Sequence, residues 1–283
     1  PEANWNDGSC TYPDNGNYSL SFDSGNTVEL PQNIINIDEL SVNLWIKAPG
    51  SHQHIIGNIG GVSNNYNGGF RLATRPQYGF RFDLVLESET KHLYSQNNTI
   101  INNEWQLITA TYNGNEMSMY LNGELLISEF ASGNIVLNNE NLYIGIDTEW
   151  TGSSFTGIVD NIQIWNTALS QNQIQSFLST SPIDNEEELI AYYKFNAGSG
   201  DILYDHSGNG NHGTINGATW VENIYGCTDE LACNYDEIAN WDDGSCDYPD
   251  ACDICYGDNS TCPTITDIDG NIYATVEIGS QNW

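Results

Sequence analysis

NEWQLITATYNGNEMSMYLNGEL, residues 103–125, decides the fold class. Residues 105–112 are a β-branched and aromatic run, and Asn113-Gly114 is the strongest short-range hairpin signal in the chain. Residues 117–121 then alternate back toward a second Asn-Gly pair, Asn122-Gly123. Two strands and two tight turns within so short a stretch mean antiparallel sheet, not helix.

Working outward, the same pattern predicts strands over 40–47, 69–73, 80–86, 142–146, 158–165 and 190–195. Many short strands separated by Asn/Gly turns indicate an all-β sandwich or jelly roll. One short helix is expected over 171–178. Ser170 is its cap, Gln173 completes a Ser-x-x-Gln capping box, and Ile174, Phe177 and Leu178 share a face that plugs an end of the sandwich.

Charge is the compositional outlier: 38 acidic residues against six basic ones give a net charge of -32. That balance repels nucleic-acid phosphates and anionic membrane surfaces, and no apolar run approaches the ~18 residues of a membrane span. Five of the six basic residues, Lys47, Arg71, Arg75, Arg81 and Lys91, fall in one window, with Lys194 outside it. The window reads either as ordinary strand surface or as a positive face docking the acidic face of a neighbouring module or subunit.

Six of the seven cysteines, Cys227, Cys233, Cys246, Cys252, Cys255 and Cys262, crowd one acidic segment, and Cys10 stands apart. Clustered cysteines of this kind read as disulfide staples, which persist in oxidising compartments, so an extracellular or cell-surface location is expected. Six cysteines permit 15 pairings and spacing does not choose among them. Cys252-x-x-Cys255 has no second close pair, which weighs against zinc.

The segment 3–13, ANWNDGSCTYP, recurs as ANWDDGSCDYP at 239–249, differing only at Asn6/Asp242 and Thr11/Asp247. The second copy follows GCTDELACNYDEI, so the chain reads as four parts: 1–13, the tail of a Cys/Asp spacer repeat; 14–222, the jelly roll; 223–262, a complete spacer; and 263–283, the start of a further β module. The opening PEANWNDGSC has no leader-like pattern, and the chain reads as an interior piece of a longer exported protein.

ELSVNLWIKAP at 39–49, residues 103–125, LYIGID at 142–147, FTGIVDNIQIWNTAL at 155–169 and LIAYYKFNAGSGDILYDHSGNGNHGTINGATW at 189–220 together resemble the laminin-G-like, concanavalin-A-like jelly rolls of modular bacterial surface proteins. The tail TITDIDGNIYATVEIGSQNW resembles the opening of a Fibrobacter-type paralogous domain. The resemblance implies a non-catalytic adhesion or scaffolding module of a surface protein or filament, stabilised by calcium and disulfides. The alternative it implies is a calcium-dependent, lectin-like carbohydrate-binding module. Partners would be neighbouring modules or subunits of the same assembly, or glycans. The Glu-x-Asp-x-Glu strand of related laminarinase-type enzymes is missing, as are other catalytic signatures, so no enzyme activity is expected.

Calcium takes six to eight oxygen ligands. Asp205, Asn209 and Asn211 in the loop 205–213 offer several, with Asp23 as a partner from the opening strand; the same residues also serve as turn formers. Asp147 and Glu149 follow LYIG, where related pentraxins carry calcium ligands, and Asp160 lies where the family often has two consecutive acids but is followed here by Asn161. In the spacer, Asp236, Asp242 and Asp243 are the best oxygen donors. Tyr66 and Trp150 sit in loops as candidate platforms for a sugar ring, and His52 and His54 form a strand-spaced pair with no third ligand in view.

Overall fold

In a computed structural model, the described residues are 12–282 apart from 33, 36–37, 50–52, 63–64, 76–78, 97–98, 146–153, 184–185, 251–253, 258–263, 270, 275–276 and 279–280. They fall into two compact units, Pro1–Glu222 and Asn223–Trp283. In chain order the first contains β1 (Tyr18–Phe22), β2 (Thr27–Gln32), β3 (Leu40–Lys47), β4 (Gln53–Gly57), β5 (Gly60–Val62), β6 (Asn65–Gly68), β7 (Phe70–Arg75), β8 (Gly79–Val85), β9 (Thr90–Tyr94), β10 (Trp105–Tyr112), β11 (Glu116–Leu121), β12 (Glu124–Phe130), β13 (Asn141–Ile144), β14 (Gly157–Trp165), the helix α1 (Gln171–Ser176), β15 (Leu189–Tyr193), β16 (Ile202–Leu203), β17 (Gly213–Asn216) and β18 (Thr219–Glu222).

Two antiparallel sheets face each other. The first runs β12-β11-β10-β3-β14-β1-β18, with β15 also on β14; the second runs β16-β17-β2-β13-β4-β7-β8-β9. β1 and β15 share β14: Leu20 pairs with Val159 on its first half, and Ile162 with Tyr193 on its second. The residues between the sheets follow strand alternation. Val42, Leu44 and Ile46 of β3 and Ile108 and Ala110 of β10 meet Phe70 and Leu72 of β7 and Phe80, Phe82 and Leu84 of β8 in one buried cluster. Each fully buried Leu, Ile or Phe contributes about 1.5–3 kcal/mol, so this cluster is what holds the sandwich closed.

The alternation has a second consequence. With 70 and 72, and 80, 82 and 84, turned into the core, residues 71, 73 and 75 and residues 81, 83 and 85 must share the outer face of the second sheet.

Three local expectations change. The hairpin after β10 closes through four residues, because Tyr112 pairs with Met117 and the Asn113 carboxamide accepts from the Asn115 and Glu116 amides. The two-residue turn is instead Asn122-Gly123, where φ is +49° and +81° and Leu121 pairs with Glu124, as a type I′ turn requires. The helix ends at Ser176. Its capping box is present, but Leu178 is 41% exposed, and Ile174 packs with Trp165, Leu169, Leu189 and Tyr192 on the outer face of the first sheet, not at its end.

In the second unit, Tyr225–Gly226 pairs in parallel with Trp241–Asp242, and disulfides join Cys227 to Cys246 and Cys233 to Cys255. Cys10, Cys252 and Cys262 lie outside the described residues. Among those described, no helix is long and apolar enough to cross a membrane.

Candidate functional site

All three arginines of the chain, Arg71, Arg75 and Arg81, stand on the outer face of β7 and β8. Arg71 lies opposite Asp83, and Arg81 lies between Ala73 on β7 and Tyr94 on β9, so Arg81 falls between the other two arginines with a methyl group on one side and a ring on the other. Asp83 is fully buried and holds two of them. Its Oδ2 accepts from Arg71 Nε at 2.8 Å and lies 2.6 Å from Arg71 Nη2, while its Oδ1 accepts from Arg81 Nε at 2.5 Å. His92, on β9, places Nδ1 2.7 Å from Asp83 Oδ1 and 3.0 Å from Arg81 Nη2. A ring nitrogen this close to a carboxylate oxygen must carry the proton and donate it.

Burial by itself raises the Asp83 carboxyl, but the His92 hydrogen bond and the charges of Arg71 and Arg81 more than offset it and hold the group below the usual carboxylate range. The carboxylate is therefore ionised and fully committed. The sequence expectation of a solvent-facing positive docking face is corrected here: Arg71 and Arg81 are each 6% exposed, sunk by their bonds to Asp83.

Above this floor runs a row of rings. Tyr94 lies 5.3 Å from the Arg81 guanidinium carbon, His92 is 6.4 Å from Tyr94, and Tyr66 meets His92 edge-on at 6.2 Å. Tyr66 arrives from β6, in the hairpin that β5 and β6 form over β8. The base of that hairpin is pinned: Asn138 Nδ2 donates to the carbonyls of Asn58 and Gly68 at 2.7 and 2.8 Å. Gly68 has φ +137°, and a Cβ there would meet the Val136 carbonyl at 2.5 Å. Tyr66, Arg75 and Tyr94 are half-buried and the His92 side chain is 32% exposed, so the rim is reachable while the floor is not.

The candidate calcium ligands lie elsewhere. Asp205 is fully buried; its Oδ1 accepts from the Tyr192 and Ser207 amides, and its Oδ2 from the Ser207 hydroxyl and the Asn211 amide, all at 2.8–2.9 Å. A carboxylate has about four lone-pair positions, so Asp205 has none left for a cation. Asn209 and Asn211 turn their amide nitrogens onto the carbonyls of Leu189 and Ile190, and the Tyr193 hydroxyl, whose pKa is raised well above the usual value by burial and by Asp205, donates to the Asn211 carbonyl. This loop clips β15 to the sheet.

Asp23 sits in the exposed β1–β2 turn, with its amide donating to Asn26 Oδ1. Asp160 is buried beside the β14 bulge, in register with Trp45. Asp236, Asp242 and Asp243 each accept from a backbone amide two residues on, and the Ser245 hydroxyl and amide hold the Asp243 carboxyl below its usual range. Asp147, Glu149, Trp150 and His52 lie outside the described residues, and His54 is buried in β4. Among the described residues, no three His, Cys, Asp or Glu side chains gather as a metal site needs.

An open cleft of about 810 Å³ is lined by Asp38, Glu39, Glu87, Asn134, Asn166 and Glu188, among others. Its lining carries no aromatic ring and no base, and Glu39 Oε2 accepts from the Thr167 hydroxyl and the Ala168 amide. Rings also gather around Tyr12, Tyr204, His206 and His212, but among the described residues it is on the arginine face that rings stand beside guanidinium groups on one sheet. The sequence named Tyr66, Arg71 and Arg81 but missed Asp83, His92 and Tyr94. The even spacing of Arg81 and Asp83 and of His92 and Tyr94 was the available signal, and the cross-strand register that joins them was not.

No curated protein matches the chain in sequence. Among solved structures it is similar to a Bacteroides ovatus protein to which carbohydrate binding is ascribed, at 18% identity and TM-score 0.58, over 74% of this chain and 60% of that one. It is similar too to the heptameric SAP-like pentraxin of Limulus polyphemus (17% identity, TM-score 0.46, 59% of this chain and 84% of that one). A third likeness is to the CBM40 of the Ruminococcus gnavus IT-sialidase, bound to α2,3-sialyllactose (12%, 0.46, 56% and 95%). These likenesses concern the fold alone, and the chain spans about three fifths of the first structure's length. In sequence, residues 22–175, from the end of β1 into α1, match the concanavalin A-like lectin/glucanases superfamily, and the chain belongs to that family.

Proposed function

We propose that the sandwich is a non-catalytic, extracellular carbohydrate-binding module that serves adhesion, and that it takes its glycan on the outer face of β7, β8 and β9. The observation that carries this reading is the row Tyr66, His92 and Tyr94 standing over the buried Arg71–Asp83–Arg81 floor. Aromatic faces with polar neighbours accommodate the apolar faces of sugar rings, and a few fixed polar groups set orientation. The floor is immobilised by its own bonds, so little side-chain entropy is lost when a ligand docks on the rim. The ascribed carbohydrate binding of the Bacteroides ovatus protein of similar fold points the same way.

Export is supported by the two disulfides of the second unit, since such bonds persist in oxidising surroundings. The duplicated Cys/Asp segment supports a place within a larger surface assembly, where this unit spaces neighbouring modules. The test is a glycan array probed with the full chain and with Tyr66→Ala. Binding that falls by about tenfold or more in the variant is expected for loss of an aromatic platform. Binding that Tyr66→Ala and Tyr94→Ala both leave intact would remove this face from consideration.

A further inference from the structure

Three guanidiniums share one face, and one carboxylate answers them. Arg71 and Arg81 are spent on Asp83, whereas Arg75 makes no hydrogen bond or ion pair among the described residues, and its Nε is buried without a partner. Arg75 sits at the register position of Gly79 on β8, which has no side chain to pair with it. Its charge is felt locally: burial and then repulsion from Arg81 lower its pKa from the ordinary arginine value, against smaller opposing contributions from Tyr94 and Asp83. The chain has 38 acidic residues and a net charge of -32, yet among the described residues none makes an ion pair with Arg75.

We infer that Arg75 is the specificity-determining residue of the face, and that the glycan it selects carries a carboxylate, as a uronic or sialic acid does. This rests on the proposed glycan-binding role of the same face. A carboxylate brought in by the ligand supplies the acceptor that Arg75 lacks, in the two-pronged geometry a guanidinium favours. The sugar ring that bears it then lies along the row of Tyr94, His92 and Tyr66, whose rings are inclined to one another and offer apolar faces beside the partly exposed His92. A neutral sugar gains the stacking but leaves Arg75 unanswered.

The experiment is calorimetric titration of the full chain with two matched pairs, trigalacturonate against its methyl ester and 3′-sialyllactose against lactose, using wild type, Arg75→Met and Arg75→Lys. An acidic sugar should bind at least about tenfold more tightly than its uncharged partner. Arg75→Met should abolish that preference while keeping the residual affinity for the uncharged form, and Arg75→Lys should restore part of it. The preference should also shrink as salt rises from 0.05 to 0.5 M, by roughly severalfold. Equal affinity for the members of both pairs, or a preference that survives in Arg75→Met with unchanged thermal stability, overturns the inference while leaving the glycan-binding role intact. Tighter binding of a sulfated oligosaccharide such as a chondroitin sulfate tetramer than of either acid overturns the carboxylate assignment. No binding of any sugar overturns both readings.

Discussion

Replacing Asp83 by Asn keeps the shape of the side chain and removes one acceptor and the charge. Both carboxylate oxygens are taken by arginine, Oδ2 by Arg71 and Oδ1 by Arg81, with His92 donating to Oδ1 as well. Whichever way the amide is turned, its NH₂ faces a guanidinium N–H, so one arginine loses its acceptor and meets a donor in its place. Arg71 and Arg81 are only 6% exposed, and water does not replace what is lost. Removing one partner of a buried ion pair costs about 3–5 kcal/mol, because the remaining charge stays buried and unanswered.

For a unit of 222 residues, about 2–4 °C of melting temperature per kcal/mol converts this to a loss of roughly 6–20 °C. Urea unfolding followed by tryptophan fluorescence gives the free energy directly. Adding Arg71→Met and Arg81→Leu to the variant removes the stranded charges and should recover most of the loss, since apolar replacements of a whole buried cluster are often near neutral. A cost for Asp83→Asn below about 1 kcal/mol, the range of an exposed pair, would refute the picture of a desolvated floor and with it the rigidity claimed for the binding face.

The same carboxylate predicts an acid limb. Because the folded pKa of Asp83 is depressed, its contribution is complete above the unfolded value and is lost as pH falls below about 4 toward the folded one; stability measured from pH 5 to pH 2 should fall less steeply in Asp83→Asn than in wild type. Asp205→Ala should cost about 2–4 kcal/mol, from several stranded buried donors, and by the same amount in millimolar calcium and in EDTA; a cost that appears only with calcium present would make Asp205 a metal ligand after all. Gly123→Ala should destabilise by about 1–2 kcal/mol, because φ is +81° and its Cβ would press within 2.8 Å of Gln175 on α1; equal stability by thermal melting would contradict the turn assignment. Cys227→Ser with Cys246→Ser, opening a link across 19 residues, should lower the stability of the second unit by about 3 kcal/mol, read as an earlier first transition in calorimetry with the sandwich transition unmoved.

The fold was legible because a strand's side chains alternate with a fixed period, so the core positions of β3, β10, β8 and β14 can be counted along the sequence without knowing what they face. The capping box of α1 was legible for a similar reason, since all its atoms lie within four residues. The site was less so. Arg71 and Arg81 were visible as a cluster of charge, but whether such charges face solvent or a buried carboxylate depends on Asp83, which acts through a register of two strands that sequence spacing does not fix. Asp205 was half legible in the opposite direction: its oxygens were visible, and the amide of Tyr192 that engages one of them, thirteen residues back, was not.

Both cases follow from one property of polar side chains in a β sandwich. Their chemistry is decided by backbone and side-chain donors contributed from the neighbouring strand, and a carboxylate with its acceptor positions filled organises structure while a guanidinium with none filled waits for a ligand. On that criterion Asp205 and Asp83 belong to the architecture, and Arg75, the one arginine on the face with no acceptor among the described residues, is where recognition is to be sought.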